Sequence, residues 1–398
     1  MEEILKRMNE ILEGVKRNFV HLHLHTSYSF LDGFNDPYEA AKRAKELGMT
    51  AMAVTDHNHL GGAIEFQKAC KENGVKPLLG VELYWTWDTN ILSMSLEDRT
   101  KWAIERAKKD GIDIPKGAKK KDIKDLIAPY EYDTKQYHIL FIATNQTGWK
   151  NLVKLQSEAA EKCTFNGRYL IDQDMLRKYN EGIVMTSACI GSVVNSLFIE
   201  GKDEQAHEIL NEWHEIFGDR FFVEIQPLDL WKQWIANVKI IKWAKENNVR
   251  IVSTNDVHYT RKEDHDDHDT LLCIGIGRFK DETDRMTYSN DYWIKDYDEM
   301  LESFARQTQS MIENDFDGKE YFDPDEYIQI AVEGLENTNY IASLCGDIKL
   351  GSDKPLFPKI DIPHGFTAEQ YLTYKCYRNL YKYKKARPEI NLKIYEAR

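Results

Sequence analysis

The sequence has no closely spaced pair of cysteines. Six cysteines are scattered through 398 residues, and none belongs to a Cys-x-x-Cys pair. This argues against a disulfide framework or a zinc ribbon and favours a reducing compartment. Long apolar runs are also missing, so no stretch reaches the length of a membrane span. The first 17 residues carry acidic and basic side chains throughout, which does not fit a secretory signal. We therefore expect a cytoplasmic protein with no membrane partner.

An excess of positive charge is missing as well. The chain has 53 Lys and Arg against 66 Asp and Glu, a net charge of -13. Proteins that coat duplex DNA are normally basic, so the negative net charge argues against a broad phosphate-binding surface. The charge does not exclude local contacts with nucleic acid, because bound cations change the electrostatic field around them. One Lys-rich stretch, within residues 86–136, keeps two interpretations open: a solvated helical insertion, or a contact for a phosphate backbone.

Short apolar strands alternate with helical patterns from Val20 onward. This alternation predicts an α/β fold with a parallel sheet or barrel. Seven similar units favour a closed β/α barrel of the TIM type. An amphipathic helix over residues 1–18 is expected to dock on this body. The predicted strands are residues 20–25, 51–55, 77–84, 138–143, 182–187, 221–226 and 250–254.

The segment VHLHLHTSYSFLD, residues 20–32, alternates three histidines with aliphatic residues. In a strand, His21, His23 and His25 would share one face. Neutral imidazole is the commonest metal ligand, so this row predicts one wall of a metal site. The competing interpretation is an amphipathic strand whose polar face happens to be histidine. Asp32, just downstream, favours the metal site.

Other metal-competent residues follow the ends of later strands, where barrel enzymes collect their catalytic groups. His138 is an exception, since it opens its predicted strand; either that boundary is wrong or the strand is irregular. Glu224 is expected to support the ligands rather than bind metal. The residues at strand ends are His57, Glu82, Cys189, Asp256 and His258.

This set of candidate ligands exceeds what one ion needs. Zinc takes about four ligands, so we expect two or three divalent ions. Many imidazole nitrogens favour Zn²⁺, Mn²⁺ or Fe over Mg²⁺. Clustered ions generate hydroxide near neutral pH and clamp the oxygens of a phosphoryl group. The predicted reaction class is therefore phosphoester hydrolysis.

The motifs HLHLHTSYSFLDG, AVTDHNHLGGAIEF, KPLLGVELY, HILFIATNQTGWKNLVKL, SACIGS and STNDVHY resemble the PHP (polymerase and histidinol phosphatase) domain. More narrowly, they resemble the amino-terminal PHP domain of the bacterial DNA polymerase III alpha subunit, the C-family replicative polymerase. The resemblance spans most of residues 19–278 in the family's order. It implies a distorted seven-stranded β/α barrel with up to three metal ions. The implied ligands are His23, His25, Asp32, His57, Glu82, His138, Cys189, Asp256 and His258, with His21 outside the set.

The resemblance also implies metal-dependent 3′–5′ exonuclease activity of the proofreading kind, or a related phosphoesterase activity, on single-stranded DNA ends. Two alternatives stay open: a phosphomonoesterase for small molecules such as histidinol phosphate, and a non-catalytic scaffold of a split replicative polymerase. The residues expected to carry catalysis are His23, His25, Glu82, Asp256 and His258.

Three parts of the chain are expected: a helix over 1–18, the PHP barrel over 19–280, and a helical region over 281–398. This last region resembles the connection from the PHP domain towards the polymerase core. The family's palm, with its glycine-rich loop and aspartate triad, has no counterpart here. We therefore expect no polymerase activity from this chain, and a polymerase core encoded elsewhere or truncated away, in a bacterial or phage-infected cell.

Overall fold

The computed structural model describes residues 2–14, 16–112, 120–314, 323–351, 358, 360–391 and 393–394. The chain divides into two compact units, Met1–Lys349 and Leu350–Arg398. The strands are β1 (Ala51–Val54), β2 (Lys76–Trp85), β3 (Tyr137–Ala143), β4 (Thr164–Phe165), β5 (Arg168–Ile171), β6 (Ile183–Thr186), β7 (Phe221–Ile225) and β8 (Arg250–Ser253). The α-helices are α1 (Glu2–Ile11), α2 (Pro37–Glu46), α3 (Ala63–Asn73), α4 (Thr89–Leu92), α5 (Leu96–Lys109), α6 (Lys120–Ile127), α7 (Gln146–Lys162), α8 (Gln173–Tyr179), α9 (Val193–Ile199), α10 (Asp203–Phe217), α11 (Trp231–Asn247), α12 (His265–Ile276), α13 (Tyr297–Asn314), α14 (Pro324–Leu344) and α15 (Ala368–Ala386).

The strands form one mixed sheet in the order β4-β5-β2-β3-β6-β7-β8, and β1 pairs with β2. The predicted α/β class is confirmed. The pairs β1–β2, β6–β7 and β7–β8 are parallel, as expected. The prediction of parallel strands is wrong for β3, which runs antiparallel to β2 and β6. The connection explains this reversal. After the insertion 86–136, the chain enters β3 at the same end of the sheet at which β2 finished, since Trp85 pairs with Tyr137.

The first predicted strand, residues 20–25, has strand-like contacts but is not a regular strand. Hydroxyl groups of Thr338 and Thr55 accept the backbone N–H groups of Val20 and Leu24, which interrupts the backbone ladder. On one side, Ala53 N–H donates to the His21 carbonyl. On the other, residues 23–25 exchange backbone hydrogen bonds with Val257. The segment therefore lies between β1 and the chain that follows β8.

Each main strand contributes buried aliphatic or aromatic side chains to one core. Fully burying such a side chain stabilises the fold by about 1.5–3 kcal/mol. Helix α14 closes this core against β8, where Ser253 Oγ donates to the Ala331 carbonyl. Gly334 permits the close approach, since a Cβ there would lie 2.2 Å from Ser253 Oγ. The core includes Leu22, Ala53, Leu78, Leu140, Val184, Phe222, Val252 and Ile341.

The N-terminal helix α1 buries Ile4 and Met8, and Leu12 just beyond it is buried too. It packs beside α13 and α14, as its amphipathic pattern predicts. Arg17 adds an ion pair with Asp298 at 3.0 Å. The predicted part boundaries at residues 18 and 280 stay predictions.

The insertion 86–136 is helical where it is described. Helices α5 and α6 and the turn after them share a small apolar cluster that includes Ala103, Ala107 and Ile127. Residues 113–119 and the side chain of Lys120 lie outside the described part of the chain. The nucleic-acid interpretation of the insertion therefore stays a prediction.

The second unit contains α15, whose first turn is closed by a capping box between Thr367 and Gln370. Across the described ranges, no helix combines the length and apolar character that crossing a bilayer requires.

Candidate metal centre

The carboxylate of Glu82, on β2, is the centre of the cluster. It is 1% exposed and faces side chains from four other segments of the chain. Its oxygens lie 2.9 Å from His57 Nδ1, 3.0 Å from His138 Nδ1, 3.4 Å from His25 Nε2, 3.5 Å from His23 Nε2 and 3.6 Å from Cys189 Sγ.

Asp256 closes the cluster on the side of β8. Its Oδ1 lies 3.2 Å from the Nε2 atoms of both His23 and His25. The same oxygen lies 3.5 Å from His258 Nδ1. The Asp256-x-His258 pair therefore lies against the His23-x-His25 pair. This follows from the backbone pairing of residues 23–25 with Val257.

Asp32 completes the cluster from the loop after residue 25. Its Oδ2 lies 2.9 Å from His57 Nε2 and 3.4 Å from His258 Nε2. The structure thus brings all nine predicted ligands together. The Asp32 backbone is held by His268, whose Nε2 lies 2.9 Å from the Asp32 carbonyl.

His138 reaches the cluster because β3 is antiparallel. His138 is the second residue of β3, which places it at the end of the sheet where the parallel strands finish. The predicted start of this strand was therefore one residue late. Gly191 makes room for the ring, since a Cβ there would lie 3.1 Å from it. His138 N–H donates to the Gly191 carbonyl.

The cluster leaves polar atoms buried without hydrogen bonds. Leaving such an atom unpaired costs about 1–3 kcal/mol, and buried polar groups are normally satisfied. Several lie near an opposite charge, but none meets hydrogen-bond geometry within the described chain. A divalent cation would satisfy them together, so the donor set fits a metal. The atoms are His23 Nε2, His25 Nε2, His57 Nδ1, Glu82 Oε2, Asp256 Oδ1 and His258 Nε2.

Overlapping groups of the candidate ligands lie close enough to share an ion. Within the described part of the chain, four groups of three residues have their ligand atoms within 4.8 Å of one another. Residues recur between groups, with Glu82 in two of them. A carboxylate can bridge two ions, which suits a cluster of more than one. The groups are His25/His57/His258, His23/Cys189/Asp256, His23/His25/Glu82 and His57/Glu82/His138.

Glu224 fixes the orientation of His23. Its Oε1 lies 2.8 Å from His23 Nδ1, and a carboxylate only accepts, so Nδ1 carries the proton. His23 Nε2 is then free to bind metal. Hydroxyls of Thr186 and Thr254 and the amide of Gln226 donate to the same carboxylate. This is the supporting role expected for Glu224.

Ser29 and Asp56 orient His25, and the sequence analysis assigned neither. Ser29 Oγ donates to Asp56 Oδ1 at 2.9 Å, so it accepts from His25 Nδ1 at 3.0 Å. His25 Nε2 consequently faces the cluster as an acceptor. Ser29 Oγ also accepts the backbone N–H of His57. The sequence signals that could have indicated these roles are the position of Ser29 four residues after His25 and of Asp56 directly before His57.

Backbone strain is concentrated beside the ligands. Leu31, Asn58 and Ala188 have φ values of +62°, +63° and +58°, in the left-handed region that non-glycine residues seldom adopt. Each adjoins a candidate ligand in the chain. Strained backbone of this kind persists where the surrounding structure holds it, and it clusters at functional sites.

Charges in the cluster oppose the effect of burial on the histidines. Burial lowers the pKa of His23, but the charges of Asp256, Glu224 and Glu82 raise it by more than burial lowers it. The pKa of His23 therefore lies well above 6.5. Burial also lowers the pKa values of His57 and His258, but Glu82 and Asp256 respectively raise them above 6.5 overall. Without metal, protonation of these three residues stabilises the fold below pH 6.5. That stabilisation is lost as the pH rises through their folded pKa values.

The carboxylates and the thiol shift in opposite directions. Burial raises the pKa of Glu82, but the imidazoles of His138 and His23 outweigh it and hold that pKa well below 4.5. Burial, with Glu82 and Asp256, raises the pKa of the Cys189 thiol well above 9.0. Cys189 is therefore a thiol unless a cation replaces its proton.

His21 lies outside the cluster, as the resemblance implies. Burial lowers its pKa to about 4, so the ring is neutral at pH 7. Its Nε2 lies 2.9 Å from the Lys295 carbonyl, to which it donates. This contact ties residue 21 to the segment that leads into α13.

Tyrosines line the cluster, and the sequence analysis missed them. Tyr288 and Tyr292 lie 5.1 Å and 5.7 Å from His258, measured between ring centroids. Tyr84 lies 5.1 Å from His138, also measured between ring centroids. Tyr288 and Tyr292 follow no predicted strand end, whereas Tyr84 ends the predicted strand 77–84, two residues after Glu82.

Residues 21–227 match the family model described as the PHP domain. The chain belongs to the PHP family. Asp256 and His258 follow the matched range, yet the fold returns them to the same cluster as the histidines that open it.

Relatives of this PHP protein include the DNA polymerase III subunit alpha of three bacteria. Identity is 32% to that of Borreliella burgdorferi, 30% to Aquifex aeolicus and 32% to Thermus aquaticus. These alignments cover 93%, 92% and 90% of this chain but 27%, 28% and 25% of the relatives. The chain therefore spans about a quarter of their length. Among solved structures, an amidohydrolase from Chromobacterium violaceum matches with 15% identity and a TM-score of 0.30, over 60% of this chain and 87% of that one; so low a score carries no argument.

Proposed function

We propose that the chain is a metal-dependent phosphoesterase that acts as a 3′–5′ exonuclease on single-stranded DNA. It would serve a replication protein of the DNA polymerase III alpha type in the bacterial cytoplasm, with a polymerase core as its partner. The family and the polymerase relatives support this assignment.

The observation that carries the proposal is the cluster of buried, unpartnered ligand atoms around Glu82. A merely structural site would satisfy these atoms with hydrogen bonds or replace them with apolar side chains. Retaining nine metal-competent side chains, with Glu224 and Ser29 orienting two of them, favours a working centre over a scaffold.

Two or three Zn²⁺, Mn²⁺ or Fe ions would be held by the nine candidate ligands. When bound, such ions lower the pKa of water and stabilise charge on a phosphoryl group. Glu82 and Asp256 would supply the carboxylate ligands, since each faces several imidazoles. His23, His25 and His258 would keep their ligand nitrogens unprotonated because their other nitrogens donate to Glu224, Ser29 and the Asp256 carbonyl.

The test compares wild type with Asp256→Asn, which removes a charge while keeping the side-chain shape. Metal content is measured after dialysis, and a 5′-labelled single strand reports shortening from its 3′ end. We expect the wild type to bind two or three ions and the variant to lose more than about 100-fold of the activity, since losing only an outer partner costs 10–100-fold. Asp219→Asn, at an exposed position, is the matched control.

Three results would refute parts of the proposal. If metal-loaded wild type shows no nuclease activity, or only activity that Asp256→Asn leaves unchanged, the result would contradict catalysis and support the scaffold. A higher kcat/KM on a small phosphomonoester than on DNA would support the phosphomonoesterase. Shortening from the 5′ end would contradict the assigned polarity.

A further inference from the structure

A tight hairpin of β4 and β5 lies beside the cluster. Its two loop residues, Asn166 and Gly167, have φ values of +50° and +76°, as a two-residue type I′ turn requires. Asn-Gly is the preferred pair for this turn, so the sequence specifies a rigid connection. The next residue, Arg168, begins β5.

Pairing of β5 with β2 places Arg168 next to ligand-bearing strands. Tyr84 pairs with Leu170, two residues beyond Glu82. The Arg168 guanidinium lies over the Tyr84 ring, 4.3 Å from its centroid. Its Nη1 donates to Gln136 Oε1 at 3.2 Å, two residues before His138. Tyr84 on β2 and the residue just before β3 therefore hold this side chain.

The Arg168 side chain is exposed and forms no ion pair with any described acidic group. By contrast, Arg177 pairs with Glu212. One tyrosine ring separates the Arg168 guanidinium from His57 and His138, since Tyr84 lies 6.0 Å and 5.1 Å from those rings. An unpaired guanidinium held in place by a ring and an amide is suited to binding an anion in bidentate fashion.

We propose that Arg168, aligned by Tyr84 and Gln136, binds the internucleotide phosphate next to the scissile one and makes the centre selective for polynucleotide chains over isolated phosphate esters. The proposal rests on the exonuclease function above and names the feature of the substrate that the site reads. Cations held by the candidate ligands would neutralise the scissile group, and Arg168 supplies the positive charge for its neighbour.

The test compares Arg168→Gln, Arg168→Lys and the control Arg177→Gln with wild type. Two substrates are used: a single-stranded oligodeoxynucleotide, and thymidine 5′-monophosphate p-nitrophenyl ester, which has only one phosphate. For Arg168→Gln we expect KM on the oligonucleotide to rise at least about tenfold, as for a lost charged hydrogen bond. Neither kcat nor the kinetics on the small ester should change. Arg168→Lys should recover part of the loss, because lysine keeps the charge without the bidentate geometry.

A second readout does not depend on turnover. Anisotropy of a labelled oligonucleotide, measured in chelator against salt concentration, should show a log–log slope smaller by about one for Arg168→Gln. An unchanged slope with an unchanged KM would overturn the proposal, as would equal losses on both substrates. If wild type hydrolyses neither substrate, the exonuclease function fails, and the salt slope alone decides whether Arg168 binds a strand.

Discussion

Replacing Glu224 with glutamine tests whether the cluster is a metal site rather than a buried polar network. In the structure, each described side chain that hydrogen-bonds the Glu224 carboxylate donates to it, including His23 Nδ1 at 2.8 Å and Gln226 Nε2 at 3.0 Å. Glutamine can keep its oxygen towards His23, but its amide must then face Thr186. The Thr186 hydroxyl can rotate to accept, so the variant keeps a connected network.

Two magnitudes follow for Glu224→Gln. Exchanging a charged acceptor for a neutral one weakens the hydrogen bond from His23, which costs about 1–2 kcal/mol of folding free energy in the metal-free chain. For metal, a lost carboxylate partner behind a histidine ligand lowers affinity by about 10–100-fold. By the relation between free energy and equilibrium constant, that is about 1.4–2.7 kcal/mol.

The assay for Glu224→Gln is competition for Zn²⁺ or Mn²⁺ with a chromophoric chelator, beside urea unfolding with and without metal. Glu215→Gln, at an exposed position on α10, is the control and should leave both measurements unchanged. A folded Glu224→Gln variant with wild-type metal affinity would refute the reasoning, because His23 would then not depend on Glu224 for its orientation.

Three further predictions concern stability. In chelator, the free energy of unfolding should fall as the pH rises above 6.5. The fold raises the pKa values of His23 and His57 well above 6.5, so these residues keep protons that the unfolded chain releases. Added Mn²⁺ should stabilise more at pH 8.5 than at 6.5, since metal binds neutral imidazole; urea unfolding at both pH values checks this, and a metal effect independent of pH would contradict it. Gly148→Ala should cost about 3 kcal/mol or more, because its Cβ would lie 1.7 Å from the Gly182 carbonyl oxygen. Gly346→Ala, with its nearest contact at 3.6 Å, should unfold like wild type, and equal melting of the two variants would count against the packing argument.

The candidate ligands illustrate how far local patterns reach. Alternation at His23 and His25 and the strand-end positions of Glu82 and Asp256 were sufficient to predict a shared site, because parallel strands end at one edge. The same rule left His138 unexplained. Strand direction depends on how a connection crosses the sheet, and the 86–136 insertion gave no local signal that β3 would reverse.

Residues that act through other residues were harder to predict. Glu224 was identified as a supporting group from its place in a strand, whereas Ser29 and Asp56 were not. Their roles arise from contacts between the loop after residue 25 and the end of β1, which no periodic pattern encodes. The Asn-Gly pair before Arg168 is a strong turn signal, yet only the pairing of β5 with β2 shows that the turn lies beside Tyr84.

The sequence by itself determined the α/β class, the family and the nine candidate ligands that the fold brings together, because side-chain chemistry and strand alternation are local properties. Tertiary structure alone decided the reversed direction of β3, the orientation of His23 and His25 by Glu224 and Ser29, and the position of Arg168 over Tyr84. Those features depend on long-range pairing of segments, whose partners cannot be read from spacing along the chain.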